Sequence, residues 1–331
     1  MRPGTRRLAG LLTVSVLLTG CLTGCGLDAA YKLPFDVGPG SIKPVPELKG
    51  VKITVGSKNF TEQILLGYIA EVALAAAGAD IQDLTNIQGS PSARQALEGG
   101  DVDLYWEYTG TSWINYQQQT KPIPDEQAQY DAVKKDDAEK FGIAWLDYSP
   151  VNDKYALATT RAFADKYGLK TMSDMVALLK KQPDLGTMCL ESEFISRQDG
   201  LAGAEKTYAF DVPDGNMKTF GVGAIYATLA AGNTCNFGEV FTTDGRVLTL
   251  DLAVLDDDKK TFPQYNAAVT VRQDFLDRYP QLADILDPIA AKLDNETILE
   301  LSVKIDGDGT DPAVVARDWL VKEGFVSNPG A

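Results

Sequence analysis

The sequence predicts an α/β protein of two similar lobes with a ligand cleft between them. Predicted strands and helices alternate from residue 51 onward, as expected of parallel sheets wrapped by helices. A unit of helix, glycine, strand, aromatic residue and threonine occurs twice, with its aromatic residues at Tyr108 and Phe241. With 331 residues and 44% hydrophobic content, the chain is large enough for two domains. Chance similarity between two short units is the alternative to a true repeat.

The first unit begins with the segment "VKITVGS", which alternates like a half-buried strand. The next segment, "NFTEQILLGYIAEVALAAAG", has apolar residues at helical spacing as far as Gly78. A strand near "DIQDLTNI", a helix around "PSARQALEGG" and a strand in "VDLYWEYTG" continue the alternation. The second unit has the strand "KYALATT", helices around "TRAFADKYG" and "TMSDMVALLKKQ", and the strand "LGTMCL". Ligands bind such sheets at the carboxyl ends of the strands.

The turn "SKNFTEQ" lies at such a strand end and at a helix N-terminus. Unpaired backbone N–H groups and the helix dipole attract anions there, and Lys58 adds a positive charge. The turn is therefore a candidate anion-binding position. An ordinary helix cap with a solvated lysine is the alternative.

The stretch "YWEYTGTSW", residues 105–113, has four aromatic rings in nine positions. Aromatic residues are enriched in strands and bury a large area, so a strand and turn at the edge of a core is one interpretation. A cage of ring faces around a cation is the other. The stretch alone leaves both interpretations open.

Residues 1–20 have the pattern of a lipoprotein signal peptide. Three arginines precede the apolar run "LAGLLTVSVLL", which is too short for a comfortable membrane span. The motif "LLTGC" resembles a bacterial lipobox and predicts cleavage before Cys21, with acylation of that cysteine. Cys25 in "LTGC" fits nearly as well, and a plain secretory signal is the third alternative. Residues 21–50, rich in proline and glycine, are expected to be the lipid anchor and a flexible tether.

Charge and composition exclude several classes of function. The formal charge of -15 argues against nucleic acid or an anionic membrane surface as the partner of the folded body. The sequence has no histidine, which removes the most common general base, the Ser-His-Asp triad and the most common transition-metal ligand. An enzyme that uses carboxylates or lysine is still possible. We expect no catalytic residues, no cofactor and no metal site.

Two cysteines, Cys189 and Cys235, lie in the predicted folded part. An exported protein enters an oxidising compartment, so we predict a disulfide between them. Two buried free thiols are the alternative.

Six motifs occur in an order that resembles one known family: "VGSKNFTEQILLG", "EYTGT", "NDKYALA", "EFISRQDG", "TTDGRV" and "FPQYNAAVTV". The chain resembles the substrate-binding proteins of glycine betaine, carnitine and choline ABC transporters over about residues 51–326. The resemblance implies a type II periplasmic-binding-protein fold, in which two crossovers join two α/β lobes around a ligand cleft. Lobe I would be 51–153 plus 266–326, and lobe II 154–265, with crossovers near "VNDKY" and "FPQYN".

The resemblance also implies an aromatic cage for a quaternary ammonium group. Such a group has no N–H to donate, so ring faces and carboxylates are the groups that suit it. The implied cage residues are Tyr108, Tyr155, Phe241 and Tyr265. Phe241 replaces the tyrosine usual in the family, which keeps a ring face but removes a hydroxyl. The other three rings of residues 105–113, among them Trp106 and Trp113, are expected to pack rather than bind ligand.

Polar contacts are implied for the carboxylate end of betaine. They are Lys58, Thr111 and Arg197. Gln63, one helical turn into the same N-terminus, is a further expected polar contact. Asp153 either approaches the cation or orients a tyrosine. The alternative for Arg197 is a surface arginine paired with Glu193 or Asp199.

The predicted function is capture of a quaternary-ammonium osmoprotectant, namely glycine betaine, choline or carnitine, for an ABC importer. Its partners would be the small amine and the permease and ATPase subunits. A monomer is expected, held by its lipid anchor alone on the outer face of the bacterial cytoplasmic membrane. One alternative is the same fold with a diverged ligand, another small aromatic or polar molecule. A remote alternative is an extracytoplasmic hydrolase using Asp153 and Glu107.

Overall fold

The computed structural model describes residues 33–329. Its strands are β1 (Gly38–Pro39), β2 (Lys52–Lys58), β3 (Asp80–Ile87), β4 (Leu104–Tyr108), β5 (Ile143–Asn152), β6 (Tyr155–Thr160), β7 (Met188–Leu190), β8 (Met217–Thr219), β9 (Phe237–Phe241), β10 (Leu252–Leu255), β11 (Asn266–Arg272) and β12 (Val326–Ser327). The predicted signal peptide and both candidate acylation cysteines, Cys21 and Cys25, lie outside the described residues.

Helices connect these strands. They are α1 (Thr61–Ala76), α2 (Ser90–Gly99), α3 (Thr109–Thr111), α4 (Glu126–Phe141), α5 (Arg161–Tyr167), α6 (Met172–Leu179), α7 (Ser192–Ser196), α8 (Leu201–Tyr208), α9 (Val222–Ala231), α10 (Arg246–Thr249), α11 (Gln273–Arg278), α12 (Gln281–Ala290), α13 (Asn295–Asp306) and α14 (Pro312–Lys322). A π-helical turn, Ser112–Tyr116, continues α3. Within residues 33–329, no helix has both the length and the apolar character that crossing a membrane requires.

The first five-stranded sheet has the order β3-β2-β4-β11-β5. β2 runs parallel to β3 and β4, whereas β11 runs antiparallel to β4 and β5. The predicted parallel arrangement of β2, β3 and β4 is therefore confirmed, and β11 makes the sheet a mixed one. β11 returns from the second sheet and starts beside Tyr108, where β4 ends, so it must run in the opposite direction. We call the part of the chain built on β2–β5 and β11 lobe I.

The second sheet has the order β10-β6-β9-β7-β8 and repeats this arrangement. β7 is parallel to β8 and β9, and β6 is antiparallel to β9 and β10. β6 arrives from lobe I and starts at Tyr155, opposite Phe241 at the end of β9. We call the part built on β6–β10 lobe II. In both lobes, a strand that arrives from the other lobe begins next to the carboxyl end of a parallel strand.

The core of lobe I surrounds α1, whose residues are mostly buried on all sides. The helix packs on β2 and β3 and is covered by α12, α13 and α14, which explains its apolar composition around the whole circumference. The small sheet of β1 and β12 joins the two ends of the described chain. The predicted boundaries of the two lobes remain a prediction.

In lobe II, Cys189 of β7 is joined to Cys235, just before β9, by a disulfide with a Cα–Cα distance of 5.6 Å. Both side chains are buried among the side chains of β7 and α9, with Ile225 and Phe220 as neighbours.

Candidate functional site

Five aromatic rings from both lobes meet where the strand ends of the two sheets face each other. They are Phe60, Tyr108, Tyr155, Phe241 and Tyr265, and we call them the ring cluster. Tyr108 ends β4, Phe241 ends β9, Tyr155 begins β6 and Tyr265 precedes β11. The four residues named as cage candidates from the sequence therefore lie in one cluster.

Phe60 connects the rings of the two lobes across the cleft, and it was not predicted as a site residue from the sequence. Its ring centre lies 4.8 Å from that of Phe241 and 6.2 Å from that of Tyr108, with both pairs stacked. Tyr155 continues the cluster, 5.2 Å from Phe241 and 5.7 Å from Tyr265. Phe60 occupies the N-cap of α1 without capping it by a side-chain hydrogen bond. Ser, Thr, Asp or Asn is usual at an N-cap, so an aromatic residue there was a signal in the sequence that could have identified Phe60.

Gly110 explains how Tyr265 can approach β4 so closely. A Cβ atom at this position would lie 2.5 Å from the carbonyl oxygen of Gln264 and 2.7 Å from the Tyr265 ring. Real Cβ atoms do not tolerate such distances, so the glycine of "EYTGT" permits the contact.

Lys58 is a buried ion-pair partner at the end of β2. Its Nζ lies 2.5 Å from Oε1 of Glu107 and 5.0 Å from the centre of the Tyr108 ring. The other Glu107 oxygen, Oε2, accepts hydrogen bonds from the hydroxyls of Tyr105 at 2.5 Å and Tyr116 at 3.1 Å. Because Lys58 is only 2% exposed, the alternative of a solvated lysine is wrong.

Arg197 is buried between the lobes. Its guanidinium donates to both oxygens of Asp199, at 2.9 and 2.6 Å, and to Oε1 of Glu193 at 2.9 Å. It also donates to Oγ1 of Thr111 in lobe I at 3.2 Å and lies 5.2 Å from the centre of the Tyr155 ring. The alternative of a surface arginine predicted pairing with Glu193 or Asp199, and Arg197 does pair with both. The surface position is wrong, since Arg197 is 6% exposed.

These ion pairs limit how the Lys58 ammonium and the Arg197 guanidinium can bind a ligand. Each already faces a carboxylate of the protein, Glu107 for Lys58 and Asp199 for Arg197. A ligand carboxylate would have to share or displace one of these partners. Pairing also explains why both charges can be buried, because an unpaired buried charge is strongly unfavourable.

Two further acids, Glu62 and Asp153, lie near the Tyr108 hydroxyl. Tyr108 donates to Oε1 of Glu62 at 2.6 Å, and Thr243 of lobe II donates to its other oxygen. Asp153 accepts from the Thr243 N–H at 3.3 Å. Burial raises the pKa of Glu62 to about 7, despite the hydrogen bonds from Thr243 and Tyr108 that lower it. Burial, together with repulsion from Glu62, raises the pKa of Asp153 well above its usual range.

Gln63 is fully buried beside the turn between β2 and α1. Its Oε1 accepts the backbone N–H of Lys58 at 3.3 Å, and its Nε2 has no hydrogen-bond partner in the described structure. A buried donor without a partner is unusual, and a ligand oxygen would satisfy it.

A cavity of about 30 Å³ lies against the ring cluster, with room for only one or two water molecules. It is lined by Phe60, Tyr155, Phe241, Lys58, Glu193 and Glu239, among others. A wider cavity of about 400 Å³ shares Ser90 and Glu193 with it and opens between the lobes, past Tyr116 and Arg197.

All nine predicted binding residues are brought into this one region, and whether they contact a ligand stays a prediction. Trp106 packs in the main core and Tyr105 in a separate cluster on the other face of β4, as strand alternation predicts. Trp113 is partly buried and donates its indole N–H to the Lys121 carbonyl at 2.7 Å. In residues 33–329, no cluster of three or more Cys, Asp or Glu has the arrangement of a metal site.

Besides Phe60, sequence reasoning missed Glu62, Thr243 and Glu239. Glu239 could have been noticed, because it lies two residues before Phe241 on the same strand and therefore on the same face. No local signal pairs Glu62 with Thr243, since 181 residues separate them.

Known proteins resemble this chain over most of its length. A glycine-betaine-binding protein of Pseudomonas aeruginosa is 35% identical over 273 residues, covering 81% of this chain and 86% of that protein. The ergothioneine transport permease/ergothioneine binding protein EgtU of Helicobacter pylori is 32% identical, and the match covers 82% of this chain and 48% of that protein. A solved structure described as a glycine betaine/carnitine/choline ABC transporter superposes with a TM-score of 0.66 at 27% identity, covering 83% of this chain and 99% of that one.

These comparisons confirm the two-lobed α/β fold of periplasmic binding proteins. Residues 51–322 match the family described as the substrate-binding domain of the ABC-type glycine betaine transport system. The match covers well over half of the chain, and the protein belongs to this family of ABC transporter substrate-binding proteins.

Proposed function

We propose that this protein captures a quaternary-ammonium compound outside the cytoplasm, in the ring cluster, and delivers it to the permease of an ABC importer. Glycine betaine, choline and carnitine are the candidate ligands. The family is one of transport substrate-binding proteins rather than enzymes, and such proteins work with permease components. Acylation of Cys21, or alternatively Cys25, would anchor the mature chain as a monomer on the outer face of the membrane.

The observation that carries the proposal is the ring cluster itself. Five rings from both lobes converge at a buried position, with carboxylates beside them. A trimethylammonium group cannot donate a hydrogen bond, so ring faces are a suitable environment for it. Each ring within about 6 Å contributes roughly 0.5 to 2 kcal/mol of cation-π attraction, and three or four rings suffice for binding in the micromolar range.

Binding requires the lobes to separate. The cavity of about 30 Å³ is far smaller than the roughly 300 to 1,000 Å³ typical of ligand sites. Phe60 and Phe241 stack directly on each other, and the Ser90 N–H of lobe I donates to Glu193 of lobe II at 2.9 Å. We propose that the ligand enters an open form and that its cation replaces the contact between Phe60 and Phe241 when the lobes close.

The test is calorimetric titration of the chain, purified without its signal peptide, with glycine betaine, choline and carnitine in parallel. The expected result is saturable binding of at least one compound, with a dissociation constant of about micromolar. Absence of heat with all three, from protein whose folding has been checked by circular dichroism, would contradict the proposal.

Ergothioneine is a second candidate ligand, because one relative of 32% identity is named for it. Ergothioneine also carries a trimethylammonium group and a carboxylate, with a flat ring in addition. A fourth titration with ergothioneine decides between the candidates. Binding of ergothioneine at least about tenfold tighter than betaine would assign the site to it.

We propose no catalytic role for Asp153 and Glu107. Glu107 is occupied by Lys58 and two tyrosine hydroxyls, and Asp153 accepts a backbone hydrogen bond from Thr243. Recovery of the bound compound chemically unchanged after long incubation is the expected result. Formation of a hydrolysis product would support the hydrolase alternative.

A further inference from the structure

We infer that Glu239 is a specificity-determining residue whose carboxylate pairs with the positive charge of the bound ligand. The site would then select for charge as well as for the shape of a trimethylammonium group. This inference rests on the proposed function and concerns the same site.

Glu239 faces the ring cluster from within lobe II. It lies in the middle of β9, two residues before Phe241, so the two side chains leave the strand on the same face. Both line the cavity of about 30 Å³, together with Phe60 and Tyr155. With 3% exposure, the Glu239 side chain is removed from solvent.

No cationic side chain pairs with Glu239 among residues 33–329. In the described part of the chain, its one hydrogen bond comes from the backbone N–H of Glu191, at 2.9 Å. The two cations nearby are engaged elsewhere, Lys58 with Glu107 and Arg197 with Asp199 and Glu193. A buried carboxyl without a counter-charge is costly, and buried acids are usually paired.

The surroundings of Glu239 make it receptive to a cation. Burial and repulsion from Glu191 and Glu193 raise its pKa well above the usual range, and the Glu191 N–H and Arg197 offset this only in part. A ligand cation entering the cavity would supply the missing counter-charge. Coulomb attraction is strong there because water is excluded, and it adds to the attraction of the ring faces.

A purely structural role is the competing explanation. The hydrogen bond from Glu191 ties β9 to the start of α7, and this alone could account for an acid at position 239. The variant Glu239→Gln separates the two roles, because a glutamine oxygen still accepts the Glu191 N–H but carries no charge. Glu205→Gln is a matched control, since Glu205 also accepts one backbone N–H, from Val212 at 2.9 Å, and does not line the cavity.

The experiment compares choline with its uncharged carbon analogue, 3,3-dimethylbutan-1-ol, and measures glycine betaine as a second ammonium ligand. Affinities are measured by calorimetry for the wild type and both variants, with the carbon analogue measured by competition. Glu239→Gln is expected to weaken the ammonium ligands about tenfold and to leave the carbon analogue within about twofold. Glu205→Gln is expected to change neither.

Equal weakening of charged and uncharged ligands would assign Glu239 a structural role and overturn the inference, as would unchanged binding of the ammonium ligands. If Glu239→Gln fails to fold, Glu239→Asp keeps the charge on a shorter side chain. That variant should lose part of the affinity for the ammonium ligands and none for the carbon analogue, and an equal loss for both would again overturn the inference. If the wild type binds no quaternary amine, the proposed function itself fails, which differs from failure of Glu239 alone.

Discussion

The ammonium of Lys58 lies 2.5 Å from Oε1 of Glu107, and the two residues are 49 positions apart in the chain. Both side chains are almost completely buried, between the end of β2 and the end of β4. The hydroxyls of Tyr105 and Tyr116 donate hydrogen bonds to the second Glu107 oxygen, so both carboxylate oxygens have hydrogen-bond partners. This ion pair holds the two strand ends of lobe I beneath the ring cluster.

Breaking this ion pair should destabilise the protein strongly. Lys58→Met leaves Glu107 buried without a counter-charge, and we expect a loss of about 3 to 5 kcal/mol in the free energy of unfolding. Chemical denaturation measures this value. In the double variant Lys58→Met/Glu107→Gln, much of the lost stability should return, because no charge is left unpaired. A double variant as unstable as the sum of the two single variants would contradict coupling between these residues.

Tyr155 is the central ring of the cluster, with contacts to both Phe241 and Tyr265. Tyr155→Ala should reduce the affinity for the quaternary amine by more than about 1 kcal/mol, because a ring face is lost. Calorimetric titration measures the change. Tyr167→Ala is the control, since Tyr167 packs against Phe163 in α5 outside the cluster. If the two variants bind equally well, Tyr155 does not belong to the cage.

Replacing Phe60 by serine should favour the stability of helix α1 and weaken ligand binding. The N-cap of α1 has no side-chain hydrogen bond, and Phe60→Ser supplies one, worth about 0.5 to 2 kcal/mol. This gain offsets the lost ring contacts, so the free energy of unfolding should change by less than about 1 kcal/mol. Ligand affinity should fall at least about tenfold, because Phe60 links Tyr108 to Phe241. Retained affinity would remove Phe60 from the proposed site.

Glu62 should make stability depend on pH. Its pKa is raised from 4.5 to about 7 by burial, so the folded protein retains a proton that the unfolded chain has released. The contribution is fully present below pH 4.5 and is lost as the pH rises through about 7. Glu62→Gln keeps a hydrogen-bond acceptor and cannot titrate. Denaturation at several pH values between 4.5 and 8 should show a steeper decline in the wild type than in Glu62→Gln, and parallel curves would contradict this assignment.

The Cys189–Cys235 disulfide closes a loop with a sequence separation of 46. Replacing both cysteines by alanine should lower the free energy of unfolding by about 2 to 4 kcal/mol, measured under non-reducing conditions. The wild type should have no thiol from these two residues that reacts under denaturing conditions without reductant. Two reactive thiols would favour the alternative of free cysteines.

The order of strands and helices could be predicted from the sequence, because hydrophobic periodicity is a local property. The spacing of apolar residues predicted β2, α1, β3, α2 and β4 in their observed order. The repeated unit likewise predicted that Tyr108 and Phe241 occupy equivalent strand ends, and the structure places both there. The family was recognisable from six short motifs, since they also depend only on neighbouring residues.

The tertiary structure decided what depends on residues far apart in the chain. The antiparallel direction of β11 follows from the return of the chain to lobe I, which no local pattern encodes. The partners of Lys58 and Glu62 were also unpredictable, since Glu107 and Thr243 are brought near only by strand order and by closure of the lobes. Local sequence thus determined the elements and the rings, whereas the pairing of buried charges arose from packing, because electrostatic partners are selected by distance in space.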